Sequence, residues 1–352
     1  MRLAQPVGIV SAKLWLPEGS ERAEDAVRAR RLRPRQAREL GHTAVPAAPD
    51  TAPPDMAVLA ATQALREAGV DPEDIGVLLH AWMYYQGHDL WSPAHYIADR
   101  LGLGAAAPIG VQQVCNGGSG AIALAAACLA PDTGTLEATG PARWALVTTA
   151  DRFCGPGFDR WASDFGVAYG DAGTAAMLRT PVQPDDALVL HALAVVAAPR
   201  LEAMHRGGDA FGTRPHGLRD TVDMRATKRA YLLEHGIEPF ERANRAAVRA
   251  VTHSALAQAG WAPDDPRLRF ALLPRFGAKS LADGWRGVLS ECVEAELLDL
   301  GQHTGHLGAG DALAGLSDLI ALRLLAPGQG ALVYSAGAGF TWSCLLVQAP
   351  DA

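Results

Sequence analysis

One of the five cysteines of the chain, Cys115, has the sequence context of a nucleophile. It lies in residues 111–130, VQQVCNGGSGAIALAAACLA, where a short apolar run ends at the cysteine and a Gly-rich helix of small residues follows. A cysteine just before a helix lies beside unpaired backbone N–H groups and the positive end of the helix dipole. Such a setting favours the thiolate, the nucleophilic form. The alternative is an ordinary small buried cysteine, which is how we interpret Cys128 in the same helix.

An internal repeat pairs Cys115 with a histidine. Residues 64–79 and 255–273 each contain a helix end, an Ala-Gly stop, an acidic Pro turn and an apolar strand. The sequence offset that aligns the glycines of these two segments also aligns Cys115 with His306. His306 lies in a second Gly-rich helix start, TGHLGAGDALAGL. If the halves are related by an approximate twofold axis, the two helix starts meet at one site. Acyl transfer needs this pair, because the thiolate attacks a thioester and the imidazole moves the proton of the second substrate.

Size and composition are those of an ordinary globular protein. The chain has 352 residues, of which 49% are hydrophobic and 20% charged, with a formal net charge of −7. We therefore expect no nucleic-acid partner. We find no long apolar run and no signal-like start, so we expect a cytoplasmic protein without a membrane segment. The cysteines and the 11 histidines form no metal-ligand or disulfide pattern, so we expect no metal site.

The order of the patterns indicates an α/β protein built from two halves. Apolar strands alternate with helices through long connections. We predict an N-terminal half at residues 1–185, which carries Cys115, and a C-terminal half at residues 186–352, which carries His306. Residues 200–241 are rich in Arg, Gly and His and are interpreted as an insertion over the site entrance. Their positive charge suits a phosphopantetheine arm or an acidic carrier protein; a solvated loop is the equal alternative.

Five motifs carry a family resemblance over almost the whole chain. They are VCNGGSGAIAL, YGDAGTAAML, LLPRFGAK, GHLGAGDALAGL and the C-terminal GAGFTW of residues 337–342. With these motifs the chain resembles the ketoacyl-ACP synthase III family of the thiolase superfamily, and in particular its divergent acyltransferase-type members from natural-product pathways. The resemblance implies a thiolase-like αβαβα layered fold made of two duplicated halves, and a homodimer. It also implies an acyl-CoA or acyl-phosphopantetheine substrate, with no bound cofactor.

The same resemblance implies the site residues. It places the covalent acyl group on Cys115, and the oxyanion hole at the backbone N–H groups of Cys115 and Ala338. The family histidine follows a strand-end proline, and here Arg275 follows that proline; the family asparagine position is occupied by His306. Arg275 stays charged and would stabilise an enolate, but it cannot move a proton. Asp311 is either a supporting residue that orients a neighbour or only a residue of the first helical turn.

Three functions are compatible with these residues. The first is an acyltransferase of secondary metabolism, in which Cys115 is acylated and His306 deprotonates a hydroxyl or amine acceptor. The second is a decarboxylative ketoacyl-ACP synthase III that makes a carbon–carbon bond with a malonyl thioester. The third is a catalytically silent partner subunit, against which the retained Cys115 counts. Neither the acyl group nor the acceptor can be named from the sequence, nor whether the donor is coenzyme A or a carrier protein.

Overall fold

The computed structural model describes residues 3–130, 144–213 and 219–351. Over these residues the chain alternates strands with helices, so the predicted α/β class is confirmed. The strands are β1 (Val7–Trp15), β2 (Ser20–Arg22), β3 (Ala44–Pro46), β4 (Ile75–Ala81), β5 (Ala107–Val111), β6 (Trp144–Asp151), β7 (Ala172–Arg179), β8 (Leu188–Ala197), β9 (Leu268–Leu272), β10 (Glu296–Leu298), β11 (Gly330–Gly337) and β12 (Thr341–Gln348).

The described residues also form eleven helices. They are α1 (Ala23–Arg28), α2 (Pro34–Leu40), α3 (Pro53–Ala68), α4 (Pro93–Leu101), α5 (Gly117–Cys128), α6 (Ala203–Arg206), α7 (Met224–His235), α8 (Glu238–Ala259), α9 (Ala278–Leu281), α10 (Gly287–Cys292) and α11 (Asp311–Ala321). The repeated Ala-Gly stops end α3 at Gly69 and α8 at Gly260, both in the left-handed conformation that glycine adopts without strain. Within the described residues, none of these helices is long and apolar enough to cross a membrane.

The strand order of the sheet repeats between the two halves of the chain. In the first half the order is β5-β4-β6-β7-β1, and in the second it is β10-β9-β11-β12-β8. In each set the first three strands are parallel and the last two are antiparallel to their neighbours. The halves are joined through a short antiparallel pairing of β1 with β8. We propose that they divide between β7 and β8, in line with the predicted boundary at residues 185 and 186.

The core is divided into layers by the alternation of side chains along the strands. A central core contains Ile122 of α5 and Leu313 of α11, which pack between the two sets of strands. Met177 of β7 faces away from that core toward α3, and Leu346 of β12 faces away from it toward α8. Helices therefore lie on both outer faces and between the strand sets. This arrangement buries the starts of α5 and α11 against each other.

Each half carries a long segment between its first strand and its first long helix. In the first half the segment runs from residue 16 to residue 52 and contains the two-stranded sheet of β2 and β3 with α1 and α2. In the second half it runs from residue 198 to residue 237 and contains α6 and α7. The predicted insertion at 200–241 thus ends earlier than expected, because α8 already begins at Glu238. Residues 214–218 of it lie outside the described residues.

Candidate active site

Cys115 occupies a tight turn between β5 and α5. Residues Val114–Asn116 form a single 3₁₀ turn, and Val114 has a φ of +50°, an uncommon value for a β-branched residue. Cys115 is buried, and its Sγ lies 3.7 Å from the Sδ of Met83. On its other side is Gly337 at the end of β11, where an added Cβ would lie 2.2 Å from the Cβ of Cys115. The turn therefore presses the nucleophile against a strand of the opposite half.

The carboxylate of Asp311 contacts one ring nitrogen of His306. Its Nδ1 is 2.7 Å from Oδ2 of Asp311, the first residue of α11, and both side chains are buried. Asp311 Oδ1 accepts the backbone N–H of Leu307 at 2.9 Å. The rings of Tyr169 and Phe276 pack edge-on against the imidazole. The other ring nitrogen, Nε2, is buried and has no hydrogen-bond partner among the described residues.

The charges at the site favour a protonated imidazole. Burial of the ring lowers the pKa of His306, but the Asp311 carboxylate and the sulfur of Cys115 outweigh that effect and raise it well above the ordinary histidine value. For Asp311, burial raises the pKa, and the neighbouring imidazole reverses the shift, so that the pKa lies below its usual range. Cys115 and His306 are therefore close enough to interact electrostatically, as the repeat predicted.

Cys115 and His306 line the same cavity, which has a volume of about 640 Å³. Both halves of the chain contribute to the cavity wall. The first half contributes α2, the turn around Cys115 and residues 164–169. The second half contributes α6 to α8, the π-helical turn Ala282–Arg286, the turn around His306 and the β11–β12 hairpin. Most of the lining side chains are apolar or aromatic. They include Met83, Met204, Met224, Leu232, Phe240, Phe276, Trp285, Val288, Phe340 and Trp342.

Two backbone N–H groups of residues in the cavity wall have no hydrogen-bond acceptor within the described residues. Ala338 lies in the β11–β12 hairpin turn and lines the cavity together with Cys115. Across residues 3–130, 144–213 and 219–351, neither the N–H of Cys115 nor that of Ala338 donates a hydrogen bond. This is the arrangement that the family resemblance implies for the oxyanion hole.

Arg275 does not reach the cavity, contrary to the catalytic role predicted for it. Its guanidinium is buried, pairs with Asp318 of α11 and donates to Thr304 Oγ1 at 2.7 Å and to the Leu300 carbonyl at 3.1 Å. Its backbone N–H donates to Asp311 Oδ2 at 3.2 Å. Three hydrogen bonds of the guanidinium thus hold the segment before His306 and connect it to α11. The arginine at the sequence position that matches the family histidine is therefore not among the residues that line the cavity.

We expect substitution of Arg275 to reduce stability rather than to change one chemical step. Arg275→Met leaves Asp318, whose side chain is 19% exposed, without its partner, which costs about 1–3 kcal/mol of unfolding free energy. The double variant Arg275→Met/Asp318→Leu removes both charges and should recover much of the loss. Urea unfolding measures both values. A folded Arg275→Met protein of unchanged stability that has lost acyl transfer selectively would contradict the structural role.

Gly337 is expected to tolerate no side chain. In Gly337→Ala the new methyl group would lie 2.2 Å from Cys115 Cβ and 2.8 Å from its Sγ, so the nucleophile must move. A displacement of about 1 Å at a reacting group can cost about 10²-fold in rate. The acylation rate is followed by intact-protein mass spectrometry. The matched control is Gly287→Ala at the start of α10, where an added Cβ meets nothing within 4 Å; it should acylate as the unsubstituted protein does, and equal rates for both variants would reject the contact.

Asp151, at the end of β6, is a site residue that sequence reasoning missed. Its carboxylate is fully buried and accepts the backbone N–H groups of Met83, Tyr84 and Ala309 at 2.9–3.0 Å. Burial raises its pKa to about 7 against the lowering effect of these three donors and of His306. The carboxylate thereby fixes both the loop beside Cys115 and the turn after His306. The sequence feature that could have indicated Asp151 is its position as a lone acidic residue at the end of an apolar strand.

Sequence comparison finds similarity to known proteins of one type. Residues 256–349 match the family described as the C-terminal part of 3-oxoacyl-[acyl-carrier-protein] synthase III. A beta-ketoacyl-[acyl-carrier-protein] synthase III of Pectobacterium atrosepticum is 26% identical over 302 residues, which cover 86% of each chain. The chain is thus similar to 3-oxoacyl-[acyl-carrier-protein] synthase III over most of its length.

Solved structures extend the synthase III likeness to the whole chain. ChlB3, described as an acyltransferase, superimposes with a TM-score of 0.83 at 29% identity and covers 98% of each chain. The synthase III of Aquifex aeolicus superimposes with a TM-score of 0.73 at 19% identity, covers 97% of this chain and is itself covered to 99%. The predicted thiolase-like layered fold is thereby confirmed. Among the residues that the structure describes, no group of His, Cys, Asp or Glu side chains is placed to hold a metal ion.

Proposed function

We propose that this synthase III-like enzyme is an acyltransferase that carries the acyl group on Cys115. His306 is its general base, Asp311 orients the imidazole, and the N–H groups of Cys115 and Ala338 form the oxyanion hole. The observation that carries the proposal is the state of His306. One ring nitrogen is fixed by Asp311, and the other is unpaired in a cavity that it shares with the cysteine.

In the first step the Cys115 thiolate attacks the carbonyl carbon of an acyl thioester. A carbon–sulfur bond forms, and the two backbone N–H groups stabilise the negative charge on the carbonyl oxygen. The tetrahedral intermediate then releases the thiolate of coenzyme A or phosphopantetheine. The protonated imidazole of His306 gives that leaving group its proton.

Acylation prepares His306 for the second step. The uncharged thioester replaces the sulfur anion, so one of the two groups that raise the pKa of His306 is gone. The imidazole can then take the proton of the acceptor as the acceptor oxygen or nitrogen attacks the acyl carbon. The Cys115 thiolate leaves, and the imidazolium left beside it restores the starting pair.

Transfer fits the site better than decarboxylative condensation. Condensation needs two polar groups around the carbonyl of a malonyl thioester, and the predicted second group, Arg275, points away from the cavity. The likeness to ChlB3 also supports transfer, because that protein is described as an acyltransferase. We extend the proposal to a homodimer, for which β5 offers the outer edge of the first set of strands.

A two-stage experiment separates the two reactions. The protein is first acylated from a panel of acyl-CoA and acyl-carrier-protein thioesters and followed by intact-protein mass spectrometry. Malonyl-carrier protein or a mixture of alcohols and amines is then added to the acyl-enzyme. We expect the acyl mass to move to an alcohol or amine. Release of carbon dioxide with a β-ketoacyl product would overturn the proposal in favour of condensation, and failure to acylate with any donor would favour a silent partner subunit.

A further inference from the structure

A polar cluster that the proposed reaction does not use lies in the wall of the same cavity. It consists of Asp164, Lys228 and His205, and all three side chains line the cavity. Lys228 of α7 pairs with Asp164 Oδ1, and Tyr169 donates its hydroxyl to Asp164 Oδ2 at 3.0 Å. The carboxylate is 4% exposed, so its charge is neutralised by Lys228 rather than by water.

The cluster adjoins both halves of the proposed catalytic machinery. On one side, the Tyr169 ring that bonds to Asp164 packs against His306, with the ring centroids 5.3 Å apart. On the other side, the His205 ring stacks on Phe340 at 4.9 Å, in the hairpin turn that also contains Ala338. A group bound at the cluster would therefore lie beside the base and the oxyanion hole, where an acceptor must be.

His205 has hydrogen-bonding capacity that the protein leaves unused. Its Nδ1 is buried and has no hydrogen-bond partner in the described chain. Burial and the nearby Lys228 ammonium lower the pKa of His205 to about 4, so the ring is neutral at physiological pH. A neutral imidazole offers one donor and one acceptor. Lys228 also has donors left over beyond the one directed at Asp164.

The field at the cluster opposes an additional positive charge. Arg225 contributes a second cation, whose guanidinium donates to the carbonyls of Asp164 and Trp161. Among these residues, the two cations Lys228 and Arg225 outnumber the single carboxylate of Asp164. An ammonium group would meet the same burial and the same Lys228 charge that keep His205 unprotonated. A hydroxyl group, by contrast, can accept from Lys228 and exchange a hydrogen bond with His205 at no charge cost.

We propose that Asp164, Lys228 and His205 form the acceptor subsite and that they select a neutral, hydroxyl-bearing acceptor over an amine. The inference rests on the proposed function, since it chooses between the two acceptor classes that the acyl-transfer reaction allows. The acceptor oxygen occupies the cavity that His205 and His306 both line, and it loses its proton to His306 as it attacks the acyl carbon.

The test measures binding without chemistry. Cys115→Ala protein with ¹³C-labelled histidine is titrated with glycerol and with 2-amino-1,3-propanediol, which replaces the central hydroxyl of glycerol by an ammonium at pH 7. His205→Phe keeps a stacked ring and assigns the His205 resonance. We expect glycerol to shift that resonance saturably, and the amine to need at least about a tenfold higher concentration. Equal or tighter binding of the amine, or no saturable shift with glycerol, would overturn the subsite.

Two variants connect the binding result to the named residues. Lys228→Met removes the cation but keeps the stem, and it should reduce the preference for glycerol severalfold. His235→Phe is the matched control, because His235 is half exposed at the end of α7 and does not line the cavity; the preference should stay unchanged there. Because Cys115→Ala performs no transfer, these results do not depend on turnover. A preference for glycerol together with a wild-type protein that never forms an acyl-enzyme would reject the proposed function and leave the subsite standing.

Discussion

Cys115→Ala is expected to form no acyl-enzyme and to lose acyl transfer by roughly 10⁴–10⁶-fold, as removal of a catalytic nucleophile does elsewhere. The reason is that no other side chain of the described cavity wall offers a thiolate beside free backbone N–H donors. Intact-protein mass spectrometry after incubation with acyl thioesters measures the loss. The unsubstituted protein should gain the mass of one acyl group, and the variant should gain none.

The control for this experiment is the second cysteine of the same helix. Cys128 is partly exposed at the far end of α5, away from the cavity, and burial raises the pKa of its thiol. Cys128→Ala should acylate at the unsubstituted rate. Persistence of the adduct in Cys115→Ala would assign the acyl group to another residue and remove the basis of the mechanism.

His306→Ala is expected to slow both half-reactions, and the transfer step by roughly 10²–10⁴-fold, the usual contribution of a general base. Acylation slows because the imidazolium no longer stabilises the thiolate beside it. Transfer slows more, because the acceptor loses the group that takes its proton. Stopped-flow mixing of a preformed acyl-enzyme with the acceptor measures the transfer rate separately from the acylation rate. Added imidazole should restore part of the transfer rate, since the substitution opens space next to a cavity of about 640 Å³.

Asp311→Asn tests the same base through its partner. Removal of the carboxylate takes away the larger of the two groups that raise the pKa of His306, so the pKa falls. The transfer rate of the acyl-enzyme rises with pH as His306 loses its proton. In Asp311→Asn that rise should begin at lower pH and reach a lower plateau, because the ring is also less well oriented. An unchanged pH profile would mean that Asp311 is only the first residue of α11 and does not affect the pKa of His306.

Local patterns in the sequence predict the repeated elements well. The Ala-Gly stops, the buried strands and the two Gly-rich helix starts are determined by residues close in the chain, and the structure reproduces them. The Arg-rich stretch at residues 21–40 does not form one continuous helix: it contains the end of β2 followed by α1 and α2. Pro34 restricts the residue before it to an extended conformation, and a new helix begins at that proline.

The pairing of Cys115 with His306 follows from the repeat, but the contacts around it depend on tertiary structure. Asp311 bonds to the imidazole because the turn before α11 folds back on itself, which spacing alone does not specify. The position of Arg275 matches that of a family catalytic residue, and only the coordinates show that Asp318 holds its guanidinium. Asp151 and His205 come from elements distant in sequence, so no local pattern could place them at the site.

Among the strands that the structure describes, the two sets hydrogen-bond to each other only where residues 7–9 of β1 meet residues 188–190 of β8. Cys115 lies in a turn of the first half and His306 in a turn of the second, where the backbone of His306 is also hydrogen-bonded to Ala168 and Gly170 of the first half. The rate of transfer therefore depends on how accurately the two halves are aligned. A slip of an ångström along their contact would silence the enzyme while every helix stayed intact. Heating should therefore abolish turnover at a temperature below that at which circular dichroism detects melting.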